Sequence, residues 1–114
     1  MDAEILCVGT EILLGNIQNT NARFLSEQLS LIGINVFRHT AVGDNPARLK
    51  SALGEALSRA DLVITTGGLG PTCDDLTKEI VADLFGAPLK LHAPTLMSIA
   101  ETFRQLGREL TENN

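Results

Sequence analysis

Residues 62–77 read LVITTGGLGPTCDDLT, and this stretch is the most informative part of the sequence. Its first residues form a short continuous apolar run, which is typical of a strand buried on both faces of a parallel sheet. Glycines then end the strand, and the pattern of a helix follows. A strand that passes through a glycine turn into a helix leaves backbone N–H groups directed into one small space, which suits a phosphate. The stretch therefore predicts an α/β domain with a ligand site at the carboxyl end of this strand.

The turn contains the residue types that a phosphate site needs. Gly67, Gly68 and Gly70 allow positive φ and lack the Cβ atoms that would keep a ligand away from the main chain. Thr66 and Thr72 add hydroxyl groups. The spacing matches neither the phosphate loop that ends in Gly-Lys-Ser/Thr nor the Gly-x-Gly-x-x-Gly pattern. A tight turn with a purely structural role is the alternative interpretation.

Two acids, Asp74 and Asp75, follow the turn. Carboxylates repel a phosphate unless a divalent cation lies between them, so this pairing predicts a site for phosphate plus metal. The alternative is that one of the two acids caps the helix that begins near Leu76. There it would accept a free N–H and complement the helix dipole.

Strand-like and helical segments alternate along the chain. Residues 4–8, 35–42 and 61–66 have the apolar character of strands, and Asn45 with Pro46 predicts the start of a helix. The inward positions of the four predicted helices are Ala22, Leu25, Leu29 and Ile32, then Leu49, Leu53, Leu57 and Ala60, then Leu76, Ile80, Val81 and Leu84, and finally Leu96, Ile99, Phe103 and Leu106. This alternation favours a mostly parallel sheet with helices on both faces. A chain of 114 residues builds one core but hardly two, so we interpret residues 1–114 as a single domain.

An acid follows each predicted strand: Glu11 the first, Asp44 the second and Asp75 the third. The carboxyl ends of parallel strands share one edge of the sheet, so we expect these acids to converge there. Together they would hold a divalent ion against a diphosphate and position or deprotonate the attacking water. The alternatives are that Asp44 with Asn45 caps the next helix, that Glu11 is a solvated loop charge, and that Thr10 only turns the chain.

Composition excludes several classes of function. The net charge is −5, the basic residues are scattered, and the aromatic residues are four phenylalanines, so nucleic acid is a poor partner. We find no apolar run that could span a membrane and no signal peptide, and we therefore expect a cytoplasmic protein without a membrane partner. Cys7, Cys73, His39 and His92 lack the spacing of a zinc site, and both histidines are interpreted as structural.

Three motifs together resemble a known family. TGGLGPTCDDLT at residues 66–77, VGTEILLG at residues 8–15 and VGDN at residues 42–45 are similar to the amino-terminal domain of the competence/damage-inducible protein A (CinA) family. That domain is similar to the molybdopterin-binding domains of molybdenum-cofactor biosynthesis proteins. The resemblance implies a three-layer α/β/α domain that binds a pterin or nucleotide phosphate. It also implies metal-dependent pyrophosphatase activity toward ADP-ribose.

The resemblance also assigns roles to individual residues. It implies that Asp44 and Asp75 act as metal ligands or as the catalytic base, with a divalent ion (Mg, Mn or Co) as cofactor. Glu11 is added as a third metal ligand because of its position after the first strand, not because of the resemblance. The expected phosphate and ligand contacts are Thr10, Thr66, Gly67, Gly68, Leu69, Gly70, Thr72 and Asp74, and three cations could also reach a phosphate, namely Arg23, Arg38 and Lys78.

Two further functions remain open beside hydrolysis of a nucleotide diphosphate. One is molybdopterin binding or adenylyl transfer, and the other is a non-catalytic ligand-binding module. Leu69 favours the CinA form of the motif, because the cofactor-synthesis domains more often have Thr or Ser there. Family domains continue beyond the position of residue 114, so we expect a chain truncated at its C-terminal end, and we expect a homo-oligomer.

Overall fold

The computed structural model describes residues 1–15 and 18–108. It has three strands, β1 (Asp2–Val8), β2 (Asn35–Val42) and β3 (Leu62–Thr66). It also has five helices, α1 (Thr10–Leu13), α2 (Thr20–Leu31), α3 (Pro46–Arg59), α4 (Thr77–Leu84) and α5 (Ala93–Gln105). The predicted C-terminal limit at residue 114 lies outside the described residues. Among the described helices, none combines the length and apolar character that a bilayer span requires.

The three strands form a parallel sheet in the order β2-β1-β3. In this register Val8 of β1 lies level with Val42 of β2, and Cys7 lies level with Thr66 of β3. The carboxyl ends of the strands therefore share one edge of the sheet. The predicted parallel sheet is confirmed, and strand β2 has the predicted bounds. Strand β3 is half-buried at one side of the described sheet, whereas its apolar run predicts a strand buried on both faces.

Strand β1 is central and is buried on both faces. On one face Leu6 and Val8 pack against the apolar side of α3. On the other, Ile5 and Cys7 pack with Ala22 of α2 and its neighbours. Helices thus cover both faces of the sheet, which confirms the three-layer α/β/α architecture.

Helix α3 begins as the sequence predicts, with Asn45 as the N-cap and Pro46 in the first turn. The Asn45 Oδ1 accepts a hydrogen bond from the Arg48 N–H at 3.0 Å, which satisfies one of the free donors of the first turn. Asp44 is therefore not the cap of this helix. Its carboxylate is left for another partner.

Some predicted inward positions are wrong. Ile32 follows the end of α2 and is exposed. On α3 the predicted Leu49 and Leu53 are buried, but the third buried residue is Ala56, and the predicted Leu57 is 39% exposed. Helix α5 has no buried residue, and Leu106 beyond its end is exposed. The physical reason is that α5 packs only loosely against the rest of the described chain, so its apolar pattern is not matched by a covering surface.

A charged residue interrupts the core at the amino end of the sheet. Glu4 of β1 is 2% exposed, and its Oε2 and Oε1 accept hydrogen bonds from Arg59 Nε at 2.8 Å and Nη2 at 2.6 Å. The Thr40 hydroxyl donates a further bond at 3.2 Å. The hydrogen bonds from Arg59, together with its positive charge, hold the pKa of Glu4 below its usual value despite burial.

This ion pair predicts a pH dependence of stability. Because the folded-state pKa of Glu4 is lowered, the pair stabilises the fold fully above the ordinary value of 4.5, and this contribution is lost as pH falls through the lower folded-state value. We expect Glu4→Gln to lower the free energy of unfolding at neutral pH and to flatten its fall in acid. Urea unfolding at neutral and at acidic pH measures the free energy of unfolding of both proteins. The prediction would be contradicted if the free energy of unfolding fell by the same amount in acid for wild type and variant.

Candidate functional site

The loops after the three strands meet at the carboxyl edge of the sheet. The N–H of Gly9, directly after β1, donates to the carbonyl of Val42 at the end of β2 at 2.8 Å. On the other side Gly67, directly after β3, packs against the end of β1. A Cβ placed on Gly67 would lie 2.1 Å from the carbonyl oxygen of Val8, so only glycine fits there.

The glycine turn uses the positive φ that glycine allows at two of its three glycines. Gly67 has φ of 86° and Gly68 has φ of 68°, both in the left-handed region that favours glycine. Gly70 does not have positive φ, so it makes no use of the conformational freedom that glycine allows. Its lack of a Cβ serves a different purpose, because a Cβ there would lie 2.6 Å from the Asp75 Oδ2.

Thr77, the first residue of α4, fixes the direction of two peptides in the turn. Its hydroxyl donates to the Gly67 carbonyl at 2.8 Å, and its N–H donates to the Gly68 carbonyl at 3.1 Å. In a trans peptide the N–H points opposite to the C=O, so the N–H groups of Gly68 and Leu69 point away from α4. Neither has a hydrogen-bond acceptor among the described residues. Two adjacent free donors are the arrangement that binds anions.

Asp75 closes the second half of the turn. Its Oδ2 accepts hydrogen bonds from the Thr72 hydroxyl at 2.6 Å and from the Thr72 N–H at 3.1 Å. These bonds, with smaller contributions from the Gly70 N–H and the charge of Lys78, hold the pKa of Asp75 below its usual value. Helix α4 has Leu76 as its N-cap and no side-chain cap bond, so the alternative that an acid caps this helix is wrong.

Asp44 joins the loops that follow β1 and β2. Its Oδ2 accepts from the Thr10 hydroxyl at 3.1 Å and from the Thr10 N–H at 3.4 Å. In return the Asp44 N–H donates to the Thr10 Oγ1 at 3.1 Å. This reciprocal arrangement fixes the position of the carboxylate, and it shows that Thr10 does more than turn the chain.

The three predicted metal ligands do not form one cluster. Within residues 1–15 and 18–108, no group of three or more acidic, histidine or cysteine side chains lies close enough to hold a metal ion. The reason is local: Asp44 is held by Thr10, Asp75 is held by Thr72, and the Glu11 carboxylate turns back over the backbone of Gly9. Convergence of three carboxylates is therefore not observed.

One oxygen of each aspartate remains available. The Oδ1 atoms of Asp44 and Asp75 accept no hydrogen bond from the described residues. Each free oxygen can supply one ligand to a cation whose remaining ligands come from phosphate and water, which is a common way of binding Mg²⁺. The other predicted ligand contacts differ in exposure: Thr66 is half-buried, whereas Leu69, Thr72 and Asp74 are exposed.

The remaining candidates are engaged elsewhere. Arg23 pairs with Glu27 on α2, and Lys78 pairs with Glu79 beside the turn. Arg38 lies at the opposite edge of the sheet, where with Glu4 and other residues it lines a cavity of about 240 Å³. Arg38 is thus not placed to reach a phosphate on the glycine turn.

The histidines and cysteines belong to no metal group in the part of the chain that is described. The Nε2 of His39 lies 2.6 Å from the Ser26 Oγ, and the Nδ1 of His92 contacts the Thr95 hydroxyl. Cys7 is buried in the core, and both cysteines are free.

Sequence reasoning did not give a role to Thr77, which the structure places under the turn with 3% exposure. A signal was available, since a hydroxyl residue at the start of the helix after a glycine turn is well placed to bond the turn's backbone. The choice of the Gly67 carbonyl as acceptor depends on the path of the loop. Spacing alone does not define that path.

A sequence comparison identifies the family. Residues 4–111 match the family model described as a probable molybdopterin binding domain. The chain belongs to this family. A CinA-like protein of Dictyoglomus turgidum is 60% identical over 114 residues, which are all of this chain and 28% of that protein. This domain thus spans about 28% of the length of the curated relatives it matches first.

Solved structures of similar proteins agree. The crystal structure of the protein CinA from Thermoplasma acidophilum has a TM-score of 0.86 and 37% identity, covering 98% of this chain and 65% of its own. The molybdopterin biosynthesis enzyme MoaB from Thermus thermophilus has a TM-score of 0.66 and 29% identity, covering 72% of this chain and 53% of its own. These findings confirm both the resemblance to CinA and the molybdopterin-binding fold.

Proposed function

We propose that this domain binds the phosphate of a nucleotide or pterin ligand at the glycine turn. The observation that carries the proposal is the pair of free N–H donors on Gly68 and Leu69, held on the same side of the turn. The hydroxyl of Thr10 lies at the neighbouring loop of the same sheet edge. Backbone donors at the carboxyl end of a parallel sheet are a recurrent phosphate site.

We further propose that the protein hydrolyses ADP-ribose, or a related nucleotide diphosphate, with the help of a divalent ion. Water would attack one phosphorus, the bridging P–O bond would break, and the products would be AMP and ribose 5-phosphate. Asp44 and Asp75 would each offer an Oδ1 to the ion. When bound, such an ion neutralises phosphate charge and lowers the pKa of bound water.

The charge state of Asp75 refines its role in this proposal. Its pKa is lowered by the Thr72 hydrogen bonds, so the carboxylate is ionised at neutral pH and is a weak proton acceptor. Helping to hold the ion, and through it orienting the attacking water, suits such a group better than removing a proton from that water. The Thr72 bonds fix the carboxylate in the direction that this role requires.

Molybdopterin binding or adenylyl transfer is the second candidate. It is favoured by the family, whose description names a molybdopterin, and by the fold shared with the molybdopterin biosynthesis enzyme MoaB. The same turn would then bind the pterin phosphate. A non-catalytic module would use the same donors without Asp75 acting on water. A homo-oligomer and a cytoplasmic location remain predictions beside all three.

Product analysis tests the catalytic proposal. Purified protein is incubated with ADP-ribose and Mg²⁺, Mn²⁺ or Co²⁺, with a chelator in a parallel sample, and AMP is measured by chromatography. We expect AMP only when the ion is present. Tight binding of ADP-ribose or molybdopterin without AMP would instead favour a binding role, and absence of both binding and AMP would overturn the proposed function.

A further inference from the structure

Gly67 and Gly68 allow the backbone conformation of the glycine turn, which is called the ligand turn below, but they do not fix that conformation. Gly67 and Gly68 both have positive φ, and glycine populates positive and negative φ about equally. The direction of the two peptides must therefore be set by contacts from outside the turn. The described residues supply these contacts through Thr77.

Thr77 is suited to this task because it is rigidly placed. It is 3% exposed, its backbone belongs to α4, and its Oγ1 would lie only 2.1 Å from a Cβ on Gly68. Its hydroxyl and its N–H bond two consecutive carbonyls, those of Gly67 and Gly68. Because the C=O of each of these peptides points toward Thr77, the N–H of the same peptide points the opposite way, away from α4.

We propose that Thr77 is the positioning residue of the ligand turn: it contacts no ligand, but its hydroxyl keeps the Gly68 N–H directed at the phosphate. The inference rests on the proposed phosphate site and adds a residue to it. Loss of the hydroxyl leaves the N–H bond to the Gly68 carbonyl in place but frees the peptide between Gly67 and Gly68 to rotate. Binding must then include the entropic cost of ordering that peptide.

Three variants test the role of the hydroxyl. Thr77→Val removes it and keeps the branched shape, whereas Thr77→Ser keeps it. Thr102→Val is the matched control, because the Thr102 hydroxyl also donates to a backbone carbonyl, that of Ser98, on distant α5. The dissociation constant of ADP-ribose, with pyrophosphate as a second probe, is measured by calorimetry well below the melting temperature of each protein.

We expect Thr77→Val to weaken binding at least about tenfold, and Thr77→Ser and Thr102→Val to stay within about twofold of wild type. A merely structural threonine would lower the melting temperature without changing affinity in the folded protein, and that result would overturn the proposal. If Thr77→Val does not fold, Thr77→Ser decides, because a folded serine variant without binding contradicts a role for the hydroxyl. Failure of wild type to bind either probe would instead overturn the phosphate site itself.

Discussion

Replacing Asp75 by asparagine should reduce hydrolysis of ADP-ribose by about a hundredfold or more while leaving the fold intact. Asparagine can place its carbonyl oxygen where Asp75 Oδ2 accepts the two Thr72 bonds, so the turn keeps its closure. What it loses is the negative charge and the acceptor at Oδ1, where an amide group now stands. The initial rate of AMP formation with a divalent ion measures the effect, and thermal melting checks the fold.

Asp83→Asn is the matched control for this substitution. Asp83 also lies near the turn in sequence, on α4, but its carboxylate pairs with Lys50 on the exposed surface. The control should retain wild-type activity. If Asp75→Asn hydrolyses ADP-ribose as fast as wild type, Asp75 only closes the turn and has no part in the mechanism.

The second large effect is expected from Gly68→Val. Its Cβ would lie 2.1 Å from the Thr77 Oγ1, and φ of 68° is strained for any β-branched residue. Relief of the clash must rotate the peptides that carry the free N–H donors. We expect affinity for ADP-ribose to fall at least about tenfold, a loss of about 1.4 kcal/mol or more.

Gly86→Val is the control that distinguishes the effect of backbone strain from an effect on the ligand turn. Gly86 has φ of 63° after α4, and a Cβ there would meet no atom within 4 Å. The control therefore introduces similar backbone strain away from the ligand turn. It should lower the melting temperature without changing affinity. Equal loss of affinity in both variants would mean that Gly68→Val acts through general destabilisation.

Most of the fold could be predicted from the sequence, because the residues that specify each strand or helix lie within it or next to it. The glycine turn after β3, the Asn45 cap and the apolar run of β1 each specify one element through nearby residues. Helix α5 shows the limit. Its apolar spacing predicts a helix correctly, but burial also requires a surface to pack against, and the described chain offers little of one.

The site was predicted at the level of the sheet edge but not of side-chain partners. Because the strands are parallel and in register, Asp44 and the glycine turn lie at the same edge of the sheet. The hydroxyl partners, Thr10 for Asp44 and Thr72 for Asp75, decide where each carboxylate points. Their orientation follows from loop geometry, which residue spacing does not define. For that reason the expected three-carboxylate cluster does not form among the residues described.

In the proposed function, the N–H groups of Gly68 and Leu69 bind phosphate. Titration of isotope-labelled protein with ADP-ribose, followed by amide NMR spectra, tests it most directly. We expect the Gly68 and Leu69 amide signals to shift the most, because their protons gain a charged acceptor. Unchanged signals at both residues, with the largest shifts around Arg38 at the opposite edge of the sheet, would contradict it.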